Sequence, residues 1–389
     1  MLATVGSALT VGLAGCPGDG GDGSTATETP TETEGSGDGE TGNVRVAHFS
    51  PDAPNVDVYV DGDAVLEDVP FRAFSDYLAV PTGSRTVQIT AAGDPDTVAF
   101  EGDIGVEAAD FTVAAIGELT SEDTEFRPLV LGDDNSEVAD DTARVRLLHA
   151  SPDAPAVDIT VAGSDTTLFE GVEFGQSGYV EVPAGFYVLE VRPAMGGDPV
   201  ATFPVELAGG TVYTGVAGGY LTPDDEPTGE MFDLSLAVDS GAGGGGIVET
   251  ANVRAAHMSP DAPNVDVYVD GGLVLEDVPF RAVSGYLTLP AGAHQITITE
   301  AGNESNAVFD SELMLEPADY TLVAAGELGE DTFEVLPLED DNSDPGDGMA
   351  RLRAVHVSPD APAVDVTVEA GPVLFDGVPF TGSGYATVG

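Results

Sequence analysis

From Val44 onward the chain alternates apolar and polar residues with a period of two, as in Val56, Val58 and Val60 set against Asp57, Tyr59 and Asp61. That period belongs to a half-buried β-strand, not to a helix. Asp61-Gly62 then supplies hairpin turn chemistry. Further strands are predicted at 64–69, 77–80, 85–91, 97–102, 111–116 and 125–131, separated by Pro, Gly and Asp. Seven or eight short strands without a helical run predict an antiparallel, immunoglobulin-like β-sandwich, so the expected class is all-β.

The pattern repeats. The string His-x-Ser-Pro-Asp-Ala-Pro-x-Val-Asp begins at His48, His149, His257 and His356, at spacings of 101, 108 and 99 residues. Each copy therefore heads a domain, not a solenoid turn. Residues 43–73 match 252–282 at 27 of 31 positions, whereas the second and fourth copies share Ala-Pro-Ala-Val-Asp and a later Ser-Gly-Tyr. Asp133-Asp134-Asn135-Ser136 recurs as Asp340-Asp341-Asn342-Ser343, each time between the two kinds. The expected order is A-B-A′-B′, with A over 44–140, B over 141–240, a Gly-rich hinge over 241–250, A′ over 251–347, and a truncated B′ over 348–389.

VRVAHFSPDAPNVDVYVDG, its three siblings and the DDNS connectors resemble the domain of unknown function 4397 family of secreted and surface-attached prokaryotic proteins. The resemblance implies a fold in keeping with the strand pattern and brings no established activity or catalytic residue.

The front of the chain differs. Leu2 to Gly15 is uncharged and apolar, the length of a signal-peptide core, and ends in Leu13-Ala14-Gly15-Cys16. This resembles the lipobox of prokaryotic lipoproteins, so residues 1–16 read as a signal peptide and Cys16 as the lipid attachment point. Residues 17–43 are an acidic Thr/Gly/Pro stretch, expected to form a disordered spacer of roughly 30 Å average reach. The expected location is the extracellular face of the cell membrane, held by an N-terminal lipid, with envelope proteins or glycans as partners.

Charge narrows the picture further. The 389 residues carry 69 acidic and 11 basic side chains, a net charge of −58, and every basic one is Arg. Such a surface repels phosphate backbones, which excludes nucleic acid as a partner. Self-repulsion of this size loosens a fold in dilute buffer and is screened in molar salt, where the Debye length is about 3 Å. The absence of Lys completes a halophile's signature.

His48, Ser50 and Asp52 are the residue types of a catalytic triad, yet residues two apart on a strand lie roughly 6.5 Å apart, beyond hydrogen-bond reach. The same holds for His149, Ser151 and Asp153, for His257, Ser259 and Asp261, and for His356, Ser358 and Asp360. These residues are expected to form a structural corner, and no catalytic residue, metal or cofactor is assigned. Asp57 and Asp61 are expected on one solvent face about 13 Å apart, too far to share Ca²⁺, leaving Asp61 and Asp63 as the pair that could converge. Tyr59 and Tyr268 on that face are candidates for glycan stacking. Asn303-Glu304-Ser305 forms a glycosylation acceptor pattern at Asn303. The expected function is a lipid-anchored repeat protein with a structural or adhesive role in a halophile's envelope; the alternative is a surface protein that binds a cation or glycan.

Overall fold

The computed structural model describes residues 39–121, 124–241, 243–346, 348–369 and 371–389. Unit A contains β1 (Thr41–Phe49), β2 (Val56–Val60), β3 (Asp63–Val69), β4 (Leu78–Pro81), β5 (Gly83–Ala91), β6 (Asp94–Val106), β7 (Asp110–Ile116) and β8 (Arg127–Gly132). They form two sheets, β4-β1-β7-β8 and β3-β2-β5-β6. Val46, Val56, Val58, Val69, Val87, Ile89, Ala115 and Phe126 fill the space between them. The β-branched residues the alternation placed on one face make that core.

Unit B repeats the plan with β9 (Thr142–Ala150), β10 (Val157–Val161), β11 (Thr167–Val172), β12 (Ser177–Pro183), β13 (Gly185–Pro193), β14 (Ala201–Leu207), β15 (Thr211–Gly218) and β16 (Asp233–Ser240). Its sheets are β12-β9-β15-β16 and β11-β10-β13-β14, the latter extended by β17 (Gly245–Ile247). A′ repeats A from β18 (Thr250–His257) onward. B′ comprises β26 (Ala350–Val355) paired with β29 (Ser383–Val388), and β27 (Val364–Thr367) paired with β28 (Val373–Val378).

Four expectations are corrected in detail. The sandwiches are not wholly antiparallel, because β1 runs parallel to β7 and β9 parallel to β15. Residues 41–43 belong to β1, not to the spacer. Within the expected hinge, Gly245–Ile247 pairs with β14, and the Tyr213 hydroxyl donates to the Gly244 carbonyl while accepting from the Ala208 amide. A Cβ on Gly245 would stand 2.2 Å from the Glu206 carbonyl oxygen, so glycine is what lets this segment approach the edge of the sheet.

Asp57, expected on the solvent face, is buried. Its carboxylate accepts from the Asp68 amide at 2.8 Å and the Gly93 amide at 2.9 Å, supporting the irregular β2–β3 pairing and the β5–β6 turn. Asp158, Asp266 and Asp365 make the equivalent bond to Gly171, Asp277 and Gly377. Buried carboxylates persist where amides satisfy them.

Candidate functional site

Each motif lies where the first strand of a unit ends. His48 is fully buried, with its Nε2 3.1 Å from the Pro54 carbonyl oxygen and its Nδ1 3.4 Å from the Ser50 amide. Because Nδ1 accepts from an N–H, the ring is neutral with its proton on Nε2, which donates to the carbonyl. The Phe71 ring meets it edge-on at 6.2 Å.

The Ser50 hydroxyl donates to the Gly117 carbonyl at 2.6 Å, 67 residues along the chain. Asp52 accepts from the Leu119 and Thr120 amides at 2.8 and 3.0 Å, and from the Thr120 hydroxyl at 2.8 Å. Its backbone donors come from the loop after β7, and the Ser50 hydroxyl stands 3.4 Å from the same carboxylate. Gly117 has φ +87, and a Cβ there would lie 2.4 Å from the Glu125 carbonyl oxygen. Glycine is required for that close approach.

Unit B repeats the geometry. His149 Nε2 is 3.0 Å from the Pro155 carbonyl, Ser151 donates to the Gly219 carbonyl at 2.6 Å, and Asp153 accepts from the Leu221 and Thr222 amides. In A′, His257 faces the Pro263 carbonyl, Ser259 donates to the Gly326 carbonyl, and Asp261 accepts from Leu328 and Gly329. In B′, His356 faces the Pro362 carbonyl and Ser358 donates to Asp360 at 3.1 Å. The three residue types that suggested a triad thus make their shortest hydrogen bonds in A, B and A′ to different groups, a corner carbonyl, a distant carbonyl and a pair of amides. Contrary to the 6.5 Å spacing expected of an extended strand, the Ser hydroxyl also lies 3.4, 3.1 and 3.4 Å from the Asp carboxylate, because the chain turns after the serine.

Burial pushes the His48 and His149 pKa values down, against the opposing pull of their carbonyl partners. A depressed histidine contributes stability above its unfolded value of about 6.5 that is lost as pH falls, because the unfolded state binds the extra proton. Thermal unfolding in high salt should therefore show falling stability below about pH 6.5. A flat profile between pH 7 and pH 5 in a variant with both histidines replaced by Gln would assign the slope to these rings; an unchanged slope would not.

A second feature joins A to B, and sequence reading missed it. Arg45 and Arg146 occupy the same strand position, three residues before their His, and point away from the sandwich cores into a seam between β1-β7-β8 and β9-β15-β16. Ala47, Phe49, Ala114 and Ile116 of A pack there against Leu148, Ala150 and Val216 of B. Arg146 Nη1 lies 2.6 Å from Asp133 Oδ1, with both side chains at most 1% exposed. Arg45 Nη1 lies 2.7 Å from Asp239 Oδ1, at 3% and 0%.

The pairs cross: an A arginine meets a B aspartate, and the reverse. Arg146 also donates to Thr112 and Thr214, Arg45 does the same, and the guanidinium groups lie over Tyr179 and Tyr77. Burial pushes the Asp239 carboxyl up, against the pull of Arg45 and a bond from Thr214. Tyr220 donates to Glu118 across the seam at 2.9 Å. The legible signal was an Arg three residues before each of the four motif histidines, at 45, 146, 254 and 353, in a chain without Lys.

The remaining candidates are not brought together. Asp61 is held by Arg85 at 3.1 Å and the Thr86 amide at 3.0 Å, and the Arg85 bond keeps its carboxyl below the usual range. Among the described residues, no three His, Cys, Asp or Glu side chains form a metal-binding group. Tyr59 and Tyr268 are half-buried, and Asn303 is exposed beside a hairpin turn. Cys16 lies outside the described residues.

Repeated sandwiches closed by one recurring corner define a tandem β-sandwich protein. The family described as "Domain of unknown function (DUF4397)" matches residues 42–160, 145–241 and 251–367, and the chain belongs to it. No curated protein matches the chain. Among solved structures it is similar to the Bacillus anthracis TIE protein, at 11% identity and a TM-score of 0.16 over 73% of this chain, which spans 50% of that one. It is also similar to Bacteroides ovatus mixed-linkage glucan utilization locus SGBP-B in complex with mixed-linkage heptasaccharide, at 13% identity and a TM-score of 0.11, over 88% of this chain and 86% of that one.

Proposed function

We propose that this is a lipid-anchored protein of a halophile's outer surface whose tandem sandwiches serve a structural or adhesive role without catalysis. The observation that carries the reading is the inward use of the repeated signature: in A, B and A′ the His, Ser and Asp groups are bound by the unit's own backbone. A side chain acting as a base must reach its substrate's proton at about 3 Å, and these rings reach a carbonyl instead. The seam adds a reason for the acidity outside, since Arg45 and Arg146 are buried and leave the surface to carboxylates that hold water in strong salt.

The anchor is Cys16 and the stand-off is the segment from residue 17 to the first strand. Cys16→Ser is expected to move the protein from the membrane fraction into the medium of a haloarchaeal expression host. Retention of the variant in washed membranes would reject the anchor.

A further inference from the structure

In unit A, β1 and β7 start at the same end, with Asn43 opposite Asp110, and β8 finishes there, with Gly132 opposite Phe111. In unit B, β9 starts beside Thr211, and β16 finishes there, with Ser240 opposite Val212. The Tyr179 hydroxyl accepts from the Asp134 amide, and the Ser240 hydroxyl donates to the Asn135 carbonyl, so these ends lie together. Tyr220 with Glu118, and Thr228 with the Pro51 carbonyl, join the opposite ends, where the corners sit. The chain therefore enters the A–B pair, crosses from A to B and ends β16 at a single pole, after which β17 turns back along β14 from Leu207 toward Pro204 and the chain leaves at Glu249.

The outgoing side is the weaker one in this geometry. Beyond β16, the Val248 amide donates to Pro204 at 3.1 Å, β17 pairs with β14 through Val205–Ile247, Glu206–Gly246 and Leu207–Gly245, and Tyr213 holds Gly244. Next comes β16, an edge strand whose sheet pairing among the described residues is with β15. Each contact is met in turn by a pull on Glu249. The incoming side differs, because β1 lies between β4 and β7 and buries residues on both its faces. Asp239 stands one residue from the loaded end of β16, so the first step of peeling removes its carboxylate from Arg45 and Thr214.

We propose that the A–B pair is a tension-responsive joint in which a pull on the chain unzips β17 and then β16, and frees Asp239 from the seam while unit A stays folded. This goes beyond the envelope role and does not depend on the lipid anchor. Freeing residues 233–248 adds about 55 Å of chain at 3.3–3.6 Å per residue.

Optical tweezers can test it on the full chain carrying Cys16→Ser and handles at exposed positions. One geometry uses Glu40→Cys with Glu249→Cys. The other uses Glu40→Cys with Asp224→Cys, where Asp224 lies at the corner pole and the load runs lengthwise along β15, against β9 and β16 at once. The expected result is a severalfold lower opening force in the first geometry, with about 55 Å of chain freed once β17 and β16 have both opened and the change in folded span is subtracted. Equal forces in the two geometries, or openings that do not together free that length of chain before unit A unfolds, would overturn the joint and would leave the membrane-fractionation result untouched.

Discussion

Arg146→Ala is expected to lower stability by about 3–5 kcal/mol, because removing one partner of a buried ion pair leaves the other charge in a dry seam. The Arg146 side chain is 1% exposed and that of its partner Asp133 is buried. The lost groups are an ion pair at 2.6 Å and bonds to Thr112 and Thr214 at 3.0 and 2.8 Å. The hydroxyls of Tyr77 and Thr112 still donate to Asp133, but neither carries a compensating charge. At roughly 2–4 °C per kcal/mol for a unit of this size, the melting temperature should fall by about 6–20 °C. Calorimetry in molar KCl measures it, and a loss under about 1 kcal/mol would mean that the seam carries little of the stability. The variant that replaces Arg146 with Met and Asp133 with Leu should recover much of the loss, since apolar substitutes avoid the desolvation cost.

Dilution of salt should act on the opposite part of the molecule. The formal charge of −58 lies mostly on exposed carboxylates, and their repulsion grows as the Debye length lengthens from about 3 Å at 1 M to about 10 Å at 0.1 M. Buried pairs are screened far less, so the Arg45–Asp239 and Arg146–Asp133 pairs keep their strength while the surface loses its shielding. The melting temperature is expected to fall steeply below about 0.5 M KCl. An identical melting temperature at 0.1 M and 2 M KCl would remove the physical basis for the halophile reading. The same series on Arg146→Ala should fall in parallel if seam and surface contribute independently.

The strands were legible because period two is a local property. Val56, Val58 and Val60 point toward one core whatever the rest of the chain does, and Asp61-Gly62 turns by its own backbone preferences, with φ +53 and +91. Asp57 was misread for the complementary reason. Alternation assigns the other face to solvent, but the β2–β3 irregularity and the β5–β6 turn bring two amides to that carboxylate. The partners come from 11 and 36 residues away, and no local period encodes them. The corner showed the same division, since the recurrence of His48, Ser50 and Asp52 marked the place while Gly117, Leu119 and Thr120 supplied the bonds.

By itself the sequence determined the all-β class, the A-B-A′-B′ repetition and the acidic surface, because strand periodicity, repeat spacing and formal charge depend on nothing outside the local chain. Tertiary structure alone decided that β1 pairs in parallel with β7, that part of the Gly-rich segment becomes an edge strand, and that two arginines cross a seam to aspartates of the other unit. The reason is distance along the chain: Arg45 and Asp239 are nearly 200 residues apart in sequence, and only the packing of two completed sandwiches brings them to 2.7 Å.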